Sequence, residues 1–335
     1  MWRTFDELAF EQLSAVQQVS AERVLRLLDL TAYFNLLDIP QPDGHSAILE
    51  TLRQDGLVIP SEAGGFEITI LGAIVFATDL RDFPRLGGRA GPVFLYRNSE
   101  RMDVLKDHTC RKGYAAGFET LVDFVCGLLP DKEVLVGALR KTIPLLPRAA
   151  VREVLANALI HQDFAVSGAR PLVEICNRQL EVSNLGEPLV DTSRLMASPP
   201  QARTKALASL MLRCQVGEEP GFGIRNIVQA ADSLRPPAPY FEVPSGFTRV
   251  ILFVYKAVRE YSVGELVRAC YLHAFLQRRM GRHLAASSLR SRFKEGERGE
   301  ALAAEIIGAA IERDLIKEAE SRGPDGGQRF ASFWG

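Results

Sequence analysis

Arg148-Ala149-Ala150-Val151-Arg152-Glu153-Val154-Leu155-Ala156-Asn157-Ala158-Leu159-Ile160-His161-Gln162-Asp163-Phe164 is the stretch whose reading decides the fold. Pro147 suits a first helical turn and Phe164 lies near a natural end, so the spacing predicts one helix. Glu153, Asn157 and His161 recur at four-residue spacing and project from one side. Val151, Val154, Leu155, Ala158 and Leu159 form the opposite, core-facing stripe. A carboxylate and an amide one turn apart can serve a Mg-nucleotide. The amide oxygen is a hard ligand for Mg²⁺, and the carboxylate can orient or deprotonate a water. The competing reading is a solvated helix face, so the neighbouring sequence has to decide.

After Phe164 the period changes. Residues 171–176 and 179–183 alternate like two strands joined by a tight turn at Asn177-Arg178, and they end in Asn184-Leu185-Gly186. An irregular segment runs through Pro199-Pro200, a helix is expected over about 201–214, and Gly217 to Gly223 form a glycine turn. A further helix begins near Ile224, and residues 248–255 form an apolar strand. Helix, two strands, irregular lid, glycine turn, helix and strand imply a two-layer α/β sandwich. Glycines just before a helix allow backbone N–H groups and the helix dipole to face a phosphate. Gly221-Phe222-Gly223 alone is a weak signal, but its order after the Glu/Asn helix and the Asn-x-Gly turn argues for a nucleotide.

The bulk properties set bounds. A chain of 335 residues predicts two or three domains, and 47% hydrophobic with 24% charged residues excludes a disordered protein. A formal net charge of −1 excludes coating of nucleic acid or membrane along the whole chain, so any such surface must be local. The five cysteines include no Cys-x-x-Cys pair, which points to reduced thiols in the cytoplasm rather than a zinc site or a disulfide framework. No apolar run reaches the ~18 residues that a membrane helix needs, and the first residues do not resemble a signal peptide.

The flanks read as two further units. Residues 1 to about 20 carry helical spacing; Ser20 caps a second helix, and two more helices precede a glycine-turned hairpin at Leu57–Ile70, a winged-helix outline over 1–80. With Arg53 nearly alone on those helices, packing or dimerisation is favoured there over DNA reading. The nucleotide-binding unit is expected over 81–257, where the basic residues from Arg97 to Lys112, diluted by acids, read as a solvated face. Residues 258–335 repeat the pattern of three helices and a wing, with Arg282, Arg290, Arg292 and Lys294 among a basic cluster fit for a phosphate backbone and a major groove. The alternative there is a solvated charge run.

The helix motif, residues 180–189 and residues 218–224 together resemble the GHKL ATPases, and more closely the prokaryotic RecG-related transcriptional regulators that usually begin with a Schlafen/AlbA-like domain. The resemblance implies an α+β chain with a GHKL (Bergerat-type) sandwich between winged-helix-like units, and an AlbA-like domain apparently missing. It implies ATP and Mg²⁺ as cofactors, Asn157 as metal ligand and Glu153 as the group activating water. Asn184 and Gly186 stand where an Asp-x-Gly holds adenine; Gly221, Gly223 and Ile224 stand at the phosphate lid. Asn184 in place of the carboxylate, and Ala202-Arg203-Thr204 in place of a Ser-Arg-Asn, depart from the pattern. The implied function is an ATP-binding, DNA-associated regulator with double-stranded DNA, a second copy or another protein as partner. The alternative is a catalytically inactive pseudo-ATPase scaffold; nothing resembles the phosphoacceptor helices of a histidine kinase.

Overall fold

The structure is a computed structural model that describes residues 10–86, 90–97, 103–136, 139–164, 170–176, 179–190, 192, 201–217, 223–234, 237–254, 257–293, 299–319 and 327–333. The chain begins with strand β1 (Ser14–Val19), then helices α1 (Ala21–Leu27), α2 (Leu30–Leu36) and α3 (His45–Gln54). Strands β2 (Val58–Pro60) and β3 (Phe66–Thr69) lead into helix α4 (Ile70–Phe76). Ser20 caps α1 by accepting the Arg23 N–H, and Asp29 caps α2 by accepting that of Ala32.

The expected helix over residues 1–20 is corrected where it can be seen. Phe10–Gln12 makes one 3-10 turn, and Ser14–Val19 pairs antiparallel with β3 to give the sheet order β1-β3-β2. The open edge of β3 offers unpaired backbone groups, and Ala15 and Val19 bury their side chains by taking it. Helical spacing in a short segment loses to that pairing.

Next come strands β4 (Val93–Arg97) and β5 (Val104–Thr109), helix α5 (Tyr114–Cys126), the hairpin β6 (Asp131–Val136) and β7 (Leu139–Pro144), and helix α6 (Arg148–Ile160). Strands β8 (Leu172–Cys176) and β9 (Gln179–Leu185), helices α7 (Lys205–Arg213) and α8 (Gly223–Leu234), and strands β10 (Tyr240–Glu242) and β11 (Phe247–Phe253) follow. The larger sheet is mixed, in the order β10-β11-β9-β8-β4-β5, with β4 and β8 parallel and its other pairs antiparallel. Strand β5 occupies the stretch read only as a solvated face, and its side chains are indeed largely exposed.

Alternation along these strands divides the sheet into two faces. Phe94, Val173, Ile175, Leu180, Val182 and Leu252 point into the core, where Phe94 meets Phe124 of α5 edge to face at 4.9 Å. The opposite face carries ion pairs such as Arg97–Glu174 at 2.7 Å and Arg249–Glu242 at 2.9 Å.

One apolar core runs without interruption from Ala15 to Val254, and α4, buried along its whole length, joins the N-terminal helices to α5. A second core gathers helices α9 (Val263–Arg279), α10 (Ala286–Phe293) and α11 (Gly299–Ile311) with strands β12 (Ile316–Glu318) and β13 (Phe330–Ser332). The capping box of Ser262 and Glu265 starts α9. The molecule is thus of mixed α+β character, and no helix among the described residues is long and apolar enough to cross a membrane.

Leu155, 1% exposed on the apolar side of α6, tests the main core. Leu155→Ala is expected to lower unfolding stability by about 2–5 kcal/mol. Urea unfolding checks this, with a lower midpoint at an unchanged slope.

Candidate functional site

Helix α6 starts after Pro147 and ends at His161, whose backbone N–H bonds the Asn157 carbonyl. Its apolar stripe faces the core as its spacing predicts. The polar side is different from a solvated face: Glu153 is only 5% exposed. The Asn157 Nδ2 donates to Glu153 Oε1 at 3.0 Å, so the carboxylate sets the amide's orientation and turns Oδ1 away from it.

The first turn of α8 covers this pair. Gly223 comes so close that a Cβ built on it would overlap Glu153 Oε1 and lie 3.3 Å from Asn157 Nδ2. A larger residue here would displace the Glu153 carboxylate, and α8 packs along α6 behind it. Sequence order therefore becomes spatial contact: Gly223 meets the Glu/Asn face. Gly221 lies outside the described residues. Ile224 packs against the core of α9–α11, so its side chain turns away from Glu153.

At the other end of α6 lies the turn after β9. Asn184 is 4% exposed, and its Nδ2 donates to the carbonyls of Leu185 at 3.0 Å and His161 at 3.3 Å. Two acceptors can be met only by the amide nitrogen, so Oδ1 is the acceptor this side chain retains. Gly186 has φ +103°, a left-handed conformation that favours glycine; its carbonyl accepts from Thr248 Oγ1 at 2.6 Å.

Gln162 and Asp163 at this turn have no role in the sequence reading, and Arg203 stands there only within the segment that departs from the family pattern. Gln162 Oε1 accepts the Leu185 N–H at 3.1 Å, and Asp163 lies 3.5 Å from Arg203 Nε. Arg203 also donates to the Glu187 carbonyl at 2.7 Å, tying the segment before α7 to the turn after β9. The Gln-Asp pair directly after His161 is the signal available in sequence; Arg203 carries none at its distance along the chain.

Burial, assisted by the Arg203 charge, pushes the His161 pKa below its usual 6.5. Among the described residues no three His, Cys, Asp or Glu side chains form a metal cage. Asn157 Oδ1, turned away from the Glu153 carboxylate, is one hard oxygen that suits an ion arriving with phosphate oxygens as its remaining ligands.

The basic cluster divides. Arg282 and Arg290 are exposed, Arg290 with Glu300 at 3.8 Å. Arg292 faces inward, 5% exposed, with Nε on Asp232 of α8. That burial corrects its assignment to a DNA-facing surface, since its guanidinium is held by a carboxylate inside the fold. Lys294 lies outside the described residues.

With this geometry in place, residues 168–252 match the family model described as "Putative ATP-dependent DNA helicase recG C-terminal". The chain thus carries an ATPase-type domain. The match includes Asn184, Gly186, Arg203 and Gly223 but begins after α6, so Glu153 and Asn157 join it through the contact with Gly223. The crystal structure of the DIP2311 protein from Corynebacterium diphtheriae is similar in fold, with a TM-score of 0.59 at 20% identity over 98% of this chain. This chain spans 65% of the length of that protein. No curated protein matches the chain.

The His161 shift gives a signed expectation. The unfolded ring titrates near 6.5 and the folded ring lower, so charging opposes folding. The stability contribution is intact above about pH 6.5 and declines as the pH falls through it toward the folded value. Urea unfolding at neutral and mildly acid pH should show wild type losing more stability on acidification than His161→Gln.

Proposed function

We propose that this chain is a Mg-ATP-binding regulator whose nucleotide state is coupled to a DNA-contacting C-terminal unit. The observation that carries the proposal is the seating of Gly223 on the Glu153–Asn157 pair, together with the ATPase-type match over 168–252. In this reading residues 81–257 form a GHKL-type sandwich between winged-helix-like units at 1–80 and 258–335. The five free cysteines favour a reducing, cytoplasmic setting.

Each residue has a role that follows from its chemistry. Asn184 Oδ1 is an acceptor matched to the exocyclic amine of adenine, which the Asp of related sites also receives, and the carbonyl of guanine offers no such donor. Asn157 supplies a hard oxygen to Mg²⁺, oriented by its N–H on Glu153. Gly186 and the backbone around Gly221, Gly223 and Ile224 allow close approach of base and phosphates. Bound Mg²⁺ supplies neutralisation of charge on the phosphates. Glu153 is the general base that orients water for attack, and its burial excludes bulk solvent from that position.

One observation favours a second reading. Glu153 is covered by Gly223, and a carboxylate serving only as a clasp between α6 and α8 would make a pseudo-ATPase scaffold. Calorimetry and phosphate release separate the two. Asn157→Ala is expected to weaken Mg-dependent ATP binding by at least tenfold, about 1.4 kcal/mol. Glu153→Gln should retain binding and lose phosphate release; wild type that binds ATP yet releases no more phosphate than Glu153→Gln is a scaffold.

In this reading, exposed Arg282 and Arg290 are the described residues that contact DNA. Replacing both by alanine should weaken a gel shift on duplex DNA and reduce its salt slope by about one for each phosphate no longer engaged. No shift by wild type at low salt contradicts the DNA partner. A homodimer or another protein is the alternative partner for the winged-helix-like units.

A further inference from the structure

Helix α8 has one side in each hydrophobic core. Ile227 and Ala230 pack into the main core, whereas Val228 and Ile224 pack into the core of α9–α11. Its two ends meet polar groups of opposite neighbours. At the first turn Gly223 lies on Glu153 of α6; at the last turn Asp232 lies between two groups of the C-terminal unit. His273 of α9 places Nδ1 3.0 Å from Asp232 Oδ2, and Arg292 of α10 places Nε 2.5 Å from Oδ1. Gln277 Nε2 stands 3.5 Å from the other ring nitrogen of His273.

His273 and Arg292 are each 5% exposed. Burial alone would push the Asp232 carboxyl up, but the His273 hydrogen bond and the Arg292 charge prevail and hold it below the usual range. A buried ion pair of this kind contributes little net stability and much orientation, because removing one partner strands the other charge.

A fixed point lies nearby. Arg268 of α9 donates to the Ala238 carbonyl at 3.2 Å and covers the Tyr240 ring at 4.8 Å. This contact ties α9 to the large sheet through β10. Between Gly223 and Asp232 the helix spans about 14 Å, at ~1.5 Å per residue. Displacing its first turn against a fixed α6 must therefore move Asp232 relative to the Arg268 anchor, or break the Asp232 contacts.

We propose that α8 is a lever that reads the Glu153–Asn157 face through Gly223 and sets the position of α10 through Asp232, His273 and Arg292. The proposal takes that face as the nucleotide site, in line with the reading above, and makes the C-terminal unit the responsive element. Exposed Arg290 lies on the same helix as Arg292, so a shift at this joint changes how the basic surface is presented.

Hydrogen exchange of the α10 amides in the full chain tests it. One arm adds Mg-ATP to wild type. A second arm uses Gly223→Ala without nucleotide, where the added Cβ overlaps Glu153 Oε1, so that the carboxylate or the first turn of α8 has to shift. Each is expected to change α10 exchange by about fivefold or more. In the background Asp232→Asn with Arg292→Gln, which removes both charges of the pair together, both changes should fall below about twofold. His273→Asn, which keeps the ion pair, should reduce them in the same direction.

Unchanged α10 exchange both in Gly223→Ala and on adding Mg-ATP to wild type, or full transmission in the uncharged background, overturns the lever. A Gly223→Ala response without any ATP response supports the lever and overturns the nucleotide reading instead.

Discussion

The contact between Gly223 and the Glu153 carboxylate is the constraint on which the rest of the architecture depends. It brings α8 close to α6 at a point where any added side chain would displace the Glu153 carboxylate. From that approach follow the enclosure of Glu153, the direction of the Asn157 amide, and the placing of Ile224 and Val228 against the C-terminal core. A buried carboxylate is tolerated because an amide donor and other polar contacts meet it.

The second organising feature is the end of β9. Its turn is held by hydrogen bonds from three directions: Gln162 after α6, Thr248 of β11, and Arg203 before α7. Those bonds define the positions of Asn184 and Gly186 without any metal or disulfide. The ATPase-type match covers this turn and the start of α8, while α6 enters from outside the matched segment. The two parts of the candidate site thus come from separate lengths of chain joined by packing.

Periodicity made much of this legible. The stripe on α6, the alternation of β8 and β9 and the capping of α1 by Ser20 are local patterns, and the structure carries them; the turn before α8 lies largely outside the described residues. What escaped depends on partners distant in sequence. Ser14–Val19 is a strand because β3 has an edge to share, and β5 is a strand because β4 does. The inward turn of Arg292 depends on Asp232, sixty residues away on another helix, and the basic cluster alone gives no sign of it. Enclosure of Glu153 was also illegible, since a helical spacing gives the side on which a residue lies and not what comes to cover it.

The parallel pairing of β4 with β8 brings Val93 beside Leu172, with α5, the β6–β7 hairpin and α6 between them in the chain. Closing that pair gives up the entropy of a long loop, a cost that the intervening helices reduce by shortening the free chain. Local units such as the β8–β9 hairpin have little such cost. The parallel β4–β8 pair is thus the contact of the central sheet most exposed to loss by chain entropy, and whenever it is open the apolar inner faces of β4 and β8 are exposed to other chains.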